Sequence, residues 1–390
     1  MKILVDENIP MAEACFGSLG TVIKVPGRDP DADLVKHADA LIVRSITKVT
    51  EALLAGSRVR FVGTATIGVD HIDQGYLQQE KIAFSSAPGC NAQSVVDYVM
   101  AALLELEPAR DFTLANRSIG IIGAGNVGSR LQAVSEQLGL RVLLCDPPQQ
   151  ESGQHPASAQ FVSADEAWQA DIVSLHVPYT QEGRHATHHL ADEHRLRSMV
   201  PGAVLINTSR GPVLDNMALA RVLDERYDLA AVLDVWEGEP FVNIELASKV
   251  DIATPHIAGY SFDGKVRGTW MIYQALCRHL GCDVSIQEAD LIDPKLNLLL
   301  DLQGEQTYNP ATARELITRI YNIHEDDVGL RTSLRLPRER RAQGFDALRR
   351  QYRVRREFNT VTLRGRAHLE SVLAEQEINR LRALGLKIVP

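Results

Sequence analysis

Eleven short runs rich in Val, Ile and Leu, alternating with stretches of helical pattern, constrain the possible folds of this chain more than any other feature. They fall at 2–5, 22–25, 39–43, 59–62, 82–84, 118–122, 141–145, 171–175, 203–206, 229–233 and 250–253. Strands that alternate with helices build βαβ units, and the resulting parallel sheets carry helices on both faces. So many strands exceed one small sheet, and the pattern predicts an α/β protein with two doubly wound parallel-sheet domains. "HADALIVRS" (37–45) and "QADIVSLHVP" (169–178) share one plan, Ala-Asp, an apolar strand, then a polar residue at its carboxyl end. We read this as a weak echo between two similar domains.

At 390 residues the chain is too long for one ordinary core. The helical stretch 92–107 would carry it from the first domain into the second, and 262–280 would bring it back, so the second domain is an insertion in the first. The expected division is a first domain over 1–95, completed by about 257–285, a second over 96–256, and a small C-terminal α/β module over 286–390. In that last part, strand-like "LNLLLDL" (296–302) and "TVTL" (360–363) bracket helical stretches near 311–321 and 338–350. Between Arg331 and Arg366 stand 12 arginines against Glu339, Asp346 and Glu357, a local charge of 12 − 3 = +9.

Bulk properties exclude several classes. The net charge of -9 argues against nucleic acid as the main partner, because phosphate binding wants a basic surface. No apolar run approaches a membrane span, and "MKILVDENIP" reaches Asp6 too soon for a signal peptide, so a cytoplasmic location is expected. Five cysteines without a CxxC pair read as reduced thiols, Cys277 and Cys282 included.

"SIGIIGAGNVGSRL" (118–131) sets GxGxxG at Gly123, Gly125 and Gly128. An apolar strand precedes it, and Val127, Leu131, Val134 and Leu138 follow at helical spacing. Glycines there let the backbone approach a pyrophosphate at a helix N-terminus, where the dipole favours anions. The next strand, "RVLLC", ends in Asp146, 18 residues after Gly128. A carboxylate there suits the ribose hydroxyls and repels a 2′-phosphate, so NAD is expected rather than NADP.

Three later strands each end near a reactive residue: Arg210 in "NTSRG", Glu239 in "LDVWEGEP" and His256 in "TPHIAG". Ligands of open α/β sheets bind outside the carboxyl ends of the strands, so the three can converge on one cleft. Hydride transfer from a 2-hydroxy acid needs its carboxylate held, its hydroxyl proton removed and the developing charge on oxygen stabilised. The planar fork of Arg210 suits the first and third tasks. His256 suits the second, and Glu239 would orient its ring. In the first domain, Arg44-Ser45 ends a strand, and "TATIG" (64–68), with Thr66, is a small-residue loop whose N–H groups can bind oxyanions. Arg44 and Ser45 could hold a substrate phosphate or carboxylate, and Tyr260 could close over it. His176, His194 and "HATHH" (185–189) fit no metal-site spacing, and no metal is expected.

"GAGNVG", "NTSRG", "DVWEGEP" and "PHIAG", in this order, resemble the D-isomer-specific 2-hydroxyacid dehydrogenases. The resemblance implies Rossmann-like domains, NAD, and Arg210, Glu239 and His256 as the catalytic set. It places Asp234 by the nicotinamide and backbone contacts around His176 and Val177. It adds Asn126, Val127, Thr208 and Gly259 to the three glycines and Asp146 along the dinucleotide. "KILVDENIP", "VRSITKV", "GTATIGVDHID", "APGCNAQSVVDYV", "LLCDPP" and "HIAGYSFDGKVRGT" resemble more narrowly a branch acting on a phosphorylated 2-hydroxy acid, over essentially the full length. That branch implies a homodimer held through residues after about 286. Two alternatives stand beside it: another phosphorylated 2-hydroxy acid such as 3-phosphoglycerate, and a non-catalytic NAD-sensing scaffold, since this fold also serves corepressors.

Overall fold

The computed structural model describes residues 1–153, 159–293, 298–302 and 310–390. The chain divides into two compact units, Met1–Ala92 with Tyr260–Leu298, and Gln93–Gly259 with Leu299–Pro390. All eleven predicted strands form, each within two residues of its expected start.

In the first unit, β1 (Lys2–Asp6), β2 (Thr21–Val25), β3 (Ala40–Val43), β4 (Phe61–Thr64) and β5 (Ala83–Ser86) make a parallel sheet in the order β2-β1-β3-β4-β5. The sequence pattern places β4 two residues early, because Gly63 and Thr64 look like turn residues. The ladder keeps them in the strand, pairing Ile42 with Gly63 and Val43 with Thr64. A Cβ on Gly63 would sit 2.4 Å from Ile272 on the helix Phe262–Leu280, so the glycine permits that helix to lie against the sheet. Ser261 caps this helix by accepting the Gly264 N–H at 2.8 Å, and Gly281, at φ +67°, ends it.

The second unit holds β6 (Ser118–Ile122), β7 (Arg141–Cys145), β8 (Ile172–Leu175), β9 (Val204–Asn207), β10 (Ala230–Leu233) and β11 (Ile252–Ala253). Their order is β11-β10-β9-β8-β6-β7, again all parallel. Every residue of β6, β8, β9 and β10 is buried, as a sheet covered on both faces requires. The helix Ala92–Ala109 is apolar nearly all round, and Val96, Tyr98, Val99, Leu103 and Leu104 are buried.

The remaining strands, β12 (Leu299–Asp301), β13 (Thr362–Arg364) and β14 (Lys387–Val389), form a small parallel sheet in that order. The start of the expected strand 296–302 lies outside the described residues. Helices Ala313–Ile320 and Arg338–Arg350 match expectation, whereas Ile323–Leu334, Arg366–Val372 and Glu375–Ala383 do not stand out in the sequence. The sequence sets everything past 286 apart as a module, but packing joins Leu299–Pro390 to the second unit. Leu330, Leu334 and Phe345 are buried in one cluster with Trp236, Leu246 and Val250. Asp327 accepts the Ala253 N–H at 2.7 Å, and Arg380 forks onto Glu107 at 2.9 and 3.0 Å. Nor is the arginine-rich stretch a uniform basic face. Arg355 and Arg356 are buried, Arg353 bonds Asp326, and Arg331 bonds Asp327 and the Val250 carbonyl.

Candidate active site

The glycine turn between β6 and the helix Asn126–Gln137 is built to exclude side chains. Gly123 adopts φ +101°, and a Cβ there would lie 2.6 Å from the His176 carbonyl oxygen. A Cβ on Gly128 would meet the Gly123 carbonyl oxygen at 1.9 Å, so the third glycine keeps the helix close to the turn. Gly125 caps the helix, and a Cβ there would meet nothing within 4 Å, so this face lies open to a ligand. Asn126 and Val127 open the helix, whose first N–H groups point at that face.

Asp146 ends β7 as expected. Its carboxylate accepts the Ala124 N–H at 2.8 Å and the Gln149 N–H at 3.0 Å, which ties it to the glycine turn. The Gln149 side-chain amide also donates to it at 3.1 Å, which leaves one of its roughly four acceptor positions for a ribose hydroxyl. His176 and Val177 follow β8 and are half-buried. The His176 ring lies 2.8 Å from Ser174 Oγ and 3.4 Å from Thr208 Oγ1, and burial pushes its pKa down to about 3, so it stays neutral. Turn, helix N-terminus, carboxylate and a neutral polar loop together fit an adenine dinucleotide. Ligands of such sheets bind at the switch point, here the neighbours β6 and β8.

The residues expected to react follow β9, β10 and β11. Asn207 shapes the first loop, accepting the Ser209 N–H at 3.0 Å and donating to the Arg210 carbonyl at 3.1 Å. Arg210 Nη1 donates to the Ser209 carbonyl at 2.8 Å, which restricts the guanidinium. Gly211 must be glycine, since a Cβ would fall 2.0 Å from the Trp236 carbonyl oxygen. Glu239 accepts the Trp236 N–H on Oε1 and meets His256 Nδ1 on Oε2, both at 2.8 Å. Burial alone would raise the Glu239 pKa, but the charge of His256, its hydrogen bond and the Trp236 N–H outweigh it and hold the carboxyl below its ordinary value. With Nδ1 donating to this carboxylate, Nε2 is the His256 nitrogen that can exchange a proton.

Asp234, expected beside the nicotinamide, is tied to the loop that follows β11. It is 1% exposed, and its oxygens accept Thr254 Oγ1 at 2.6 Å and the N–H groups of Ile257 and Ala258, both at 2.8 Å. The Asp234 carbonyl also takes the His256 N–H at 2.7 Å. These bonds shape the loop on which His256, at φ 57°, and half-buried Gly259 stand. His189, Asp215 and Glu237 gather their ligand atoms within 4.8 Å of one another, the single such group among the described residues. His189 Nε2 pairs with Glu237 at 2.7 Å, and Glu237 accepts the Asn216 N–H at 3.0 Å.

In the first unit, Arg44 ends β3 and pairs with Asp6, at the end of neighbouring β1, at 3.1 Å. Asp6 is 1% exposed, and a Cβ on Gly27 would strike its Oδ2 at 2.1 Å. Sequence reasoning missed Asp6, which reads as an ordinary strand end. Ser45 is exposed, and Thr66 bonds Thr64 Oγ1 at 2.8 Å and stays half-buried. Lys265 Nζ sits 4.6 Å from the Tyr260 ring centroid, a cation–π contact.

Comparison with known proteins agrees with this geometry. Residues 103–258 match the family described as D-isomer specific 2-hydroxyacid dehydrogenase, NAD binding domain, and residues 296–385 match one described only as a domain of unknown function. The chain belongs to the D-isomer-specific 2-hydroxyacid dehydrogenases, and it is an NAD-dependent dehydrogenase. Among its relatives, erythronate-4-phosphate dehydrogenase of Pseudomonas fluorescens is 48% identical, covering 93% of this chain and 95% of that one. Its counterpart from Escherichia coli O157:H7 is 47% identical over 93% of both. In structure, D-lactate dehydrogenase of Aquifex aeolicus, solved with NAD and lactic acid, is 26% identical with a TM-score of 0.58, covering 75% of this chain and 97% of that one. Among the described residues no helix is long and apolar enough to cross a membrane.

Proposed function

We propose that this chain oxidises 4-phospho-D-erythronate to 2-oxo-3-hydroxy-4-phosphobutanoate with NAD, a step of pyridoxal phosphate synthesis, in the cytoplasm. The Glu239–His256 pair at 2.8 Å carries this reading, since it presents a positioned base in the same unit as the glycine turn. The names and near-complete coverage of the relatives point to the substrate. Bound NAD supplies the hydride acceptor, held by Gly123, Gly125, Asn126, Val127, Gly128, Asp146, His176, Val177, Thr208 and Gly259. Arg210 pairs with the substrate carboxylate and the reacting oxygen. His256 takes the hydroxyl proton on Nε2 as C2 gives up its hydride, and Glu239 stabilises the imidazolium. Arg44, Ser45, Thr66 and Tyr260 serve the remainder of the substrate, with Asp6 aiming Arg44. The experiment is NADH formation with a panel of 2-hydroxy acids, phosphorylated and not. Preference for 3-phosphoglycerate would move the assignment within the family, and no turnover with any acid would favour the scaffold.

We also propose a homodimer held through residues after 286. Support comes from exposed Val328 and Val354, at 60% and 66%, beside the arginine-rich helix. Val354→Glu, followed by light scattering on the full chain, tests it. A shift to monomer is expected, and an undiminished dimer would place the interface elsewhere.

A further inference from the structure

Of the three chain crossings between the units, two fall at Ala92 to Gln93 and Gly259 to Tyr260. One side chain from the C-terminal segment reaches the backbone beside both. Arg355 is 3% exposed, and its Nη2 donates to the Ser94 carbonyl at 3.0 Å, to Ser94 Oγ and to the Ala258 carbonyl. Ala258 is two residues from His256. Its N–H is held by Asp234 at 2.8 Å, so both its backbone polar groups have charged partners. Asp234 also holds Ile257 N–H and, through its own carbonyl, His256 N–H.

The arginine is itself firmly seated. Its guanidinium carbon lies 4.4 Å from the Tyr321 ring centroid. Tyr321 OH donates to Asp326 at 2.9 Å, and Asp326 also takes a bond from Arg353. Just downstream, the Phe358 N–H donates to buried Asp97 at 2.9 Å, fixing the segment to the helix that carries Ser94. A hydrogen bond from a charged donor is roughly twice as strong as a neutral one. Burial removes competing water, so the Ala258 carbonyl has no equal substitute if the guanidinium is lost.

We propose that Arg355 is a positioning residue for the reaction: through the Ala258 carbonyl it fixes the loop that aims His256, and so couples the C-terminal segment to turnover. This rests on His256 being the base. A misplacement of about 1 Å at a reacting group can cost roughly 10²-fold in rate, so a loop freed on one side should show in kcat.

The test compares Arg355→Met, Arg355→Lys, Arg380→Met and His256→Asn in the full-length chain, with circular dichroism checking that each folds. Arg380→Met breaks another, half-buried tie of the same segment, the fork onto Glu107, away from the loop. Arg355→Met should lower kcat about 10–100-fold with the KM for NAD within about twofold, because the glycine turn lies on other strands. Arg355→Lys should recover part of the loss, since an ammonium can still reach one carbonyl. Arg380→Met should keep its kcat. Wild-type kcat in Arg355→Met, or an equal loss in Arg380→Met, overturns the proposal. If His256→Asn keeps its turnover, the assignment of the base fails instead. Should Arg355→Met not fold, Arg355→Lys and Ser94→Ala carry the test, and wild-type kcat in both overturns it.

Discussion

Glu239→Gln is nearly isosteric, yet the structure predicts a severe loss. The carboxylate has two acceptor oxygens, and both are used, one by the Trp236 N–H and one by His256 Nδ1, each at 2.8 Å. Glutamine offers one acceptor and one donor. If its oxygen keeps the Trp236 N–H, its amide nitrogen faces Nδ1 and forces the ring proton onto Nε2. That tautomer cannot accept a proton from the substrate hydroxyl. If the amide flips, two donors face each other and the buried Trp236 N–H goes unpaired. That costs about 1–3 kcal/mol, or roughly 5–150-fold against the productive arrangement. Losing the charge that stabilises the imidazolium adds to either outcome. The expected fall in kcat is about 10²–10⁴-fold, the range for a mis-set acid–base group. Steady-state NADH absorbance at saturating substrate measures it, and the KM for NAD should stay within about twofold, since the loss is confined to the transition state. A kcat within about threefold of wild type would refute the claim that this carboxylate sets the tautomer.

Asp146→Ala removes the ribose acceptor and the tie to Ala124, so kcat/KM should fall for NAD and the preference over NADP should narrow by about tenfold or more. An unchanged ratio of the two cofactors would show that Asp146 does not read the ribose. Gly128→Ala places a methyl 1.9 Å from the Gly123 carbonyl, so the turn must shift. A loss of about 1–3 kcal/mol in stability by urea unfolding, with weakened NAD binding by calorimetry, is expected. Asp6→Asn removes the charge that aims Arg44, and should raise the KM for substrate about tenfold while leaving that for NAD alone. Equal changes in both constants would count against Arg44 as a substrate group. Because the Glu239 pKa is lower in the fold, its contribution is present above the unfolded carboxylate value of about 4.3 and is lost as pH falls through the folded one. Urea unfolding from pH 5 downward should therefore show a steeper decline in wild type than in Glu239→Gln.

Most of the architecture was legible in the chain itself. Buried strands such as ALIV (40–43) and AAVL (230–233) announce themselves by a short apolar run, and that signal is local. The chemistry was equally legible where the residues sit side by side, as with the glycines of "GAGNVG" or Arg210 beside Gly211. The helices near 92 and 262 mark where the chain leaves the first unit and returns to it.

What the tertiary structure alone decided is which distant groups meet. Asp6 and Arg44 become partners because β1 and β3 are neighbours in the sheet. Asp234 clamps the His256 loop because the fold brings three donors to its two oxygens. The C-terminal arginines show in sequence as a local charge of +9, since charge is all that a local window records. Folding sorts them by partner, and Arg355 finds backbone carbonyls of Ser94 and Ala258. A backbone carbonyl belongs to every residue and leaves no mark in a sequence, so only the packed structure could show where that charge goes.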